Sequence, residues 1–278
     1  SNIELKDDFK IYWQNVPIAK LTPGKDYLRP EIDLIIDDMI DGNDKSDFSK
    51  FLQNWLNIKI NSELKSLTYL KNINTTNSSI RALAYQLYEN NGVIKREDAK
   101  DFIKKLAQEE RKILRDLGVK FGRYHIFLFK LFKPNVVSLR IALWKNFHQK
   151  YFDLKPPTFG LNFLKEDKKY SKDFMLLCGF EKFDNFFVRI DILERLFIKI
   201  IDPKNDKEIK LTPEMLNLLG CSKENFLKLI KKMSYYSYEK KQEIYFKYSP
   251  IKNTKKQFSS KILKKENPFS VLKNINFK

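Results

Sequence analysis

The sequence has little of what builds metal centres, redox pairs and general bases: two histidines and two cysteines in 278 residues. Cys178 and Cys221 lie 43 positions apart in apolar settings, LLCGF and LLGCS. A zinc site or a disulfide framework needs more ligands at shorter spacing, so the pair reads as buried free thiols of a reducing compartment. His125 stands inside YHIFLF and His148 late in an expected helix, neither with a second His or Cys at ligand spacing. Both therefore read as structural or surface residues. No apolar run reaches the roughly 18 residues of a membrane-spanning helix. No basic segment followed by an apolar one opens the chain, so nothing points to secretion and a cytoplasmic location is expected. The chain begins Ser-Asn without an initiator Met, which fits a piece of a longer polypeptide.

Motifs of catalysis are missing too. There is no GxxxxGK[ST] phosphate loop, no acidic motif of the DEAD kind after an apolar strand, and no GxSxG. The acidic run Glu31, Asp33, Asp37, Asp38, Asp41 and Asp44 lacks the alternate-residue oxygens and closing Glu of a calcium loop, and reads as a solvated helix face. Asp191 and Glu194 fit a capping box at a helix start better than a pair of catalytic carboxylates. The expectation is a chain without an active site, metal or cofactor of its own.

Positive charge is what the sequence has in excess, +18 formally. With 44 Lys against 9 Arg and much Asn, Ile and Phe, part of that total reflects the residue usage of an AT-rich genome. Its distribution says more. Residues 119–152 carry seven Lys or Arg and no Asp or Glu, and residues 240–278 carry eleven Lys and two Glu. These two stretches hold +16 of the +18. Such a local field attracts and captures polyanions.

The apolar pattern predicts a mainly α (α+β) fold, a helical bundle with small peripheral β-hairpins. Two short strands about Gln14-Asn15 come first, with Pro17 on an edge. Helices are expected from Pro30 to Gly42, over 46–70, from a Ser79 cap to Gly92, and over 96–117. VKFGRYHIFLFKLFKP (119–134) reads as two β-like runs about Gly122, then a helix from Pro134 to about 150. An extended connection (153–170), a short helix (171–177) and a strand (180–188) follow. Helices from Asp191, Thr212 and Ser222 and two strands within Tyr235–Tyr248 complete the pattern, which shows no internal repeat. Three parts are expected: a helical domain with its N-terminal hairpin (1–152), a smaller α+β subdomain (153–250) and a basic tail (251–278).

The acid-free stretch interleaves cations with aromatics, the pairing that single-stranded nucleic acid binding uses: phosphates neutralised, bases stacked. The plainer alternative is that the phenylalanines are core and the lysines solvated. In a chain that uses Lys nearly everywhere, Arg123, Arg140, Arg189 and Arg195 mark places for a planar, bidentate donor, Arg195 being as well explained by Asp191 or Glu194. The candidate nucleic-acid contacts are Lys120, Arg123, Tyr124, Lys130, Lys133, Arg140, Lys145 and Arg189.

Several strings carry a resemblance. LGVKFGRYHIFLFKLFKPNVVSLRIALW (117–144), VRIDILERL (188–196), LTPEMLNLLGCS (211–222), NPFSVL (267–272), IYWQNVPIAKLTPGKDYLRPEI (11–32) and IRALAYQLYENNGVI (80–94) resemble the C-terminal region of alphaproteobacterial superfamily-2 ATP-dependent helicases related to the mitochondrial degradosome RNA helicase. Phe129 stands where that family tends to carry proline, and Lys replaces many Arg. The resemblance implies that ATP and Mg are handled by two RecA-like domains preceding residue 1, and that this chain is an accessory region. Its partners would be single-stranded RNA or DNA and the RecA-like core of the same polypeptide, with no membrane. A protein-interaction or structural module docking on that core is the competing reading, prompted by the nearly neutral N-terminal third.

Overall fold

A computed structural model describes residues 2–35, 42–200 and 208–249. Within them ten α-helices alternate with thirteen strands gathered into four antiparallel sheets. This corrects the expected helical bundle with peripheral hairpins: sheets sit between the helices throughout the described residues. Strands of three or four residues carry too little alternation to stand out, and their pairing partners, which make them strands, lie on distant segments.

Strands β1 (Ile3–Leu5), β2 (Lys10–Trp13), β3 (Val16–Thr22) and β4 (Glu31–Leu34) form a meander in chain order. Gln14 and Asn15, both left-handed at φ 48° and 66°, close the β2–β3 hairpin as expected. Pro17 lies on an inner strand, not an edge, and is tolerated there because the register with β2 shifts beside it. The helix expected from Pro30 is β4 instead. Its residues alternate exposed and half-buried, and Ile35 N–H continues the ladder onto the Ile18 carbonyl at 2.9 Å. The later members of the expected stripe, Ile36, Met39 and Ile40, lie outside the described residues. The helix expected over 46–70 is two, α1 (Gly42–Glu63) and α2 (Lys65–Lys71), meeting at the buried Leu64.

From residue 78 one plan recurs three times. The first unit runs α3 (Ser78–Glu89), β5 (Val93–Lys95), α4 (Lys100–Lys105), α5 (Gln108–Asp116), β6 (Val119–Phe121) and β7 (His125–Leu128). The second runs α6 (Pro134–His148), β8 (Phe163–Lys165), α7 (Lys172–Leu177), β9 (Phe180–Phe183) and β10 (Phe186–Arg189). The third runs α8 (Ile190–Ile200), β11 (Ile209–Lys210), α9 (Pro213–Leu219), α10 (Lys223–Lys232), β12 (Tyr235–Lys240) and β13 (Glu243–Tyr248). In each, a two-stranded hairpin closes the unit and its second strand pairs back onto the unit's first strand, giving orders β5-β7-β6, β8-β10-β9 and β11-β13-β12. Helix, strand, helix pair and hairpin in that order is the topology of a winged helix–turn–helix, and the second unit has one helix where the others have two. The first helices begin at residues 78, 134 and 190, a recurrence of 56 residues. The repeat escapes sequence reading because the units share topology and spacing, not side chains.

Local chemistry explains the joints. The helix expected over 96–117 breaks at Leu106-Ala107 into α4 and α5, and the strand expected over 180–188 is a hairpin turning at Asp184-Asn185. In the third unit Gly220, left-handed at φ 67°, and the Ser222 hydroxyl, which accepts from Asn225 N–H at 3.3 Å, make the three-residue turn between α9 and α10. Helix α3 is capped by Asn77, not Ser79: Asn77 Oδ1 accepts from Ser79 and Ile80 N–H at 2.8 and 3.0 Å.

The units are fused head to tail: β10 runs straight into α8, and β7 reaches α6 through one 3₁₀ turn, Phe129–Phe132. Helix α6 is buried over most of its circumference, its polar Arg140, Lys145 and Asn146 included. Val136, Leu139 and Leu143 join the core of the meander and first unit, whereas Val137, Ile141 and Trp144 pack on Phe174, Leu177 and Phe187 of the second. Residue 152, the expected domain boundary, lies between α6 and β8 inside the second unit, and the expected tail 251–278 lies outside the described residues.

Candidate nucleic-acid interface

The turn of the first hairpin, Gly122 to His125, is held by a carboxylate 70 residues away in sequence. Glu194, on α8, accepts hydrogen bonds from three successive backbone N–H groups: Arg123, Tyr124 at 2.9 Å and His125 at 2.8 Å. A run of amides curled around one anion is a backbone nest. Gly122 makes room for it, since a Cβ there would collide with the Glu194 carboxyl. The capping box expected of Asp191 and Glu194 is therefore absent. Asp191 instead takes the Arg189 guanidinium through two bonds of 2.7 Å.

His125, 2% exposed, completes the clamp. Its Nδ1 lies 3.2 Å from Glu194 and its Nε2 3.1 Å from Glu181 on β9. Burial pushes the imidazole pKa down, but its hydrogen bonds to both carboxylates outweigh it and hold the pKa above the usual value. Burial likewise pushes Glu181 up, and the imidazole bond together with Lys95, 3.7 Å away, brings it below the ordinary carboxylate range. One turn of the first unit is thus tied to a strand of the second and a helix of the third.

The eight candidate contacts divide. Lys120, Arg123, Lys130 and Lys133 are exposed, and none pairs with a carboxylate among the described residues. Lys120 Nζ sits 4.9 Å from the Phe129 ring centre, and the Arg123 guanidinium 5.4 Å from that of Tyr248. The other four are engaged by the protein itself. Arg140 is fully buried, donating to the Asn91 carbonyl at 2.6 Å and the Leu177 carbonyl at 3.2 Å, and burial lowers its pKa. It joins two units and does not face solvent, so it is not a surface contact. Lys145 is buried as well, its ammonium donating to the Phe152 and Leu154 carbonyls. Tyr124 is half-buried, edge-on to Phe197 with its hydroxyl donating to the Met233 carbonyl at 3.2 Å, and Arg189 is neutralised by Asp191. For Arg140 and Lys145 the expectation of a surface contact is corrected, because a linear count of charges does not show which cations the fold buries.

Sequence reading passed over the lysines of the third unit's α10. Lys223 and Lys231 of α10, the second helix of the helix–turn–helix, are exposed and without a carboxylate partner among the described residues. The signal was present in KENFLKLIKK, whose lysines lie off the Phe226, Leu229 and Ile230 side.

Among the described residues no group of three or more His, Cys, Asp or Glu is placed to hold a metal ion, and no helix is long and apolar enough to cross a membrane. Burial pushes the Cys178 thiol up to about 12 and Cys221 to about 11, the opposite of an activated nucleophile. In comparisons with known proteins, no family model, no curated protein sequence and no solved structure matches the chain.

Proposed function

We propose that this chain is the accessory, nucleic-acid-binding region of an ATP-dependent helicase, working in the cytoplasm without catalysis of its own. ATP and Mg would belong to RecA-like motor domains of the same polypeptide. The helicase assignment rests on the resemblance of the quoted strings. The binding assignment rests on four exposed cations, Lys120, Arg123, Lys130 and Lys133, free of carboxylate partners among the described residues. Their setting supports the same reading: the first and third units have the element order of a winged helix–turn–helix, and such units present a helix and a hairpin to a nucleic-acid backbone.

The test is binding of labelled RNA and DNA as a function of salt. Affinity should fall steeply with ionic strength, and reversing all four cations to Glu should flatten the slope by about one for each phosphate no longer neutralised. Undetectable binding at low salt, or a slope unchanged by the reversals in a folded variant, would defeat the proposal.

One observation favours protein docking as a second reading: Trp13 and Val16 stand exposed at the tip of the β2–β3 hairpin. Retention of a separately produced motor core, abolished by Trp13→Ala and indifferent to the cation reversals, would support it.

A further inference from the structure

We propose that the outer face of the third unit's sheet is a stacking platform for an unpaired nucleic-acid strand. The inference rests on the nucleic-acid reading above and adds where the bases go.

Alternate residues of a strand point to opposite faces, and cross-strand partners share one. In β11-β13-β12, Tyr235 and Phe246 point inward and are buried. Tyr238 pairs across with Tyr245, and Tyr236 with Lys247, on the outer face. The three tyrosine rings lie nearly parallel: Tyr236 and Tyr238 have centres 6.0 Å apart at 20°, Tyr238 and Tyr245 6.2 Å apart at 21°. Tyr236, at the open end, is 65% exposed.

The middle of the same face is covered in the other two units, leaving only lysines at its margins exposed. In the first it carries Phe127 beneath Phe132, rings 5.5 Å apart at 9°, and His125 bonded to Glu181. In the second it carries Phe186 and Val188 beneath Leu193 and Leu196 of α8. A face awaiting another unit would repeat that Phe and Val chemistry. Tyrosine keeps an apolar ring and a wet hydroxyl, which suits a surface that meets both water and a base.

Charge selects the polymer. Lys240 lies 5.9 Å from the Tyr245 ring centre but pairs with Glu208, and Lys210 pairs with Glu243, so that end is neutralised. Lys247, beside Tyr236, forms no ion pair among the described residues, and residues 250–278, which follow β13, hold eight lysines and one glutamate. A polyanion with exposed flat rings is complementary to the Tyr236 end; a duplex, its bases already stacked, is not.

The experiment compares the full chain with Tyr236→Ala and Tyr236→Phe, using fluorescein-labelled oligothymidylate, oligouridylate and a blunt duplex. Single-strand affinity should fall about tenfold in the Ala variant, the loss expected of one stacked base. It should stay within about twofold in the Phe variant, with duplex affinity unmoved in both. Parent-like single-strand binding by Tyr236→Ala would overturn the platform while leaving the broader reading intact. No binding by the parent would overturn both. Tighter binding by Tyr236→Ala would show the face occupied by the chain's own C-terminal segment, and a dimer dissolved by the substitution with unmoved affinity would show a copy interface. Either result overturns the platform.

Discussion

The first and third hairpins share one topology and are used in opposite ways. The turn of β6–β7 is tied down by two other units, its amides bonded to Glu194 and its buried imidazole to Glu181, while the Arg123 side chain stays exposed. The hairpin β12–β13 packs one face on its own helices and leaves Tyr236 and Lys247 of the other exposed, with ion pairs of the surface kind. Position in the tandem accounts for the contrast: a unit followed by another is covered, and the last described one is not. The two hairpins should therefore answer mutation differently.

The largest difference is expected on removing a carboxylate from each. Glu194→Ala strands three amides and a buried imidazole, and should cost about 3–5 kcal/mol of unfolding free energy. Glu243→Ala breaks an exposed pair with Lys210 and should cost under about 1 kcal/mol. Urea denaturation of both variants measures the gap; equal losses would mean the clamp is no clamp. Next comes Gly122→Ala, where a methyl group meets the Glu194 carboxyl and the backbone must shift, at about 1–3 kcal/mol by the same measurement.

The clamp should also make stability depend on pH. His125 is raised from its ordinary 6.5, so its contribution is complete below that pH and is lost as pH rises through the higher, folded-state value. Glu181 is lowered from 4.5, so its contribution is complete above that pH and is lost as pH falls through the lower value. Both are intact between about 4.5 and 6.5. On the alkaline side the parent's Tm should decline from pH 6.5 upward while His125→Gln, less stable throughout, loses that decline. Parallel Tm curves for the two proteins would remove His125 from the linkage.

How much of this was legible in the sequence follows from range. Signals confined to a few neighbouring residues were readable: Gln14-Asn15 at a turn, Pro134 at a helix start, Ser222 at a cap, Gly122 between two runs. What depends on distant partners was not. Ile32 and Leu34 suit one side of a helix or of a strand equally, and pairing with β3 decides between them. Glu194 sits where a capping box would place it, and only the fold brings it to a turn 70 residues away. Arg140 and Lys145 look like their exposed neighbours until α6 is enclosed by two cores.

The smallest expected effect sharpens the contrast most. Phe186 and Tyr236 stand on corresponding outer faces of the second and third sheets. Phe186 packs against Phe163, rings 4.9 Å apart, beneath α8, and its change to Ala should cost about 3–5 kcal/mol. Tyr236 gives its ring mostly to water, so Tyr236→Ala should stay within about 0.5 kcal/mol of the parent in urea. A residue that contributes so little to stability yet presents an aromatic ring beside an unpaired lysine is better explained by what it meets than by what it holds up. If Tyr236→Ala instead costs as much as Phe186→Ala, the outer face is internal to a larger structure and the two sheets are alike after all.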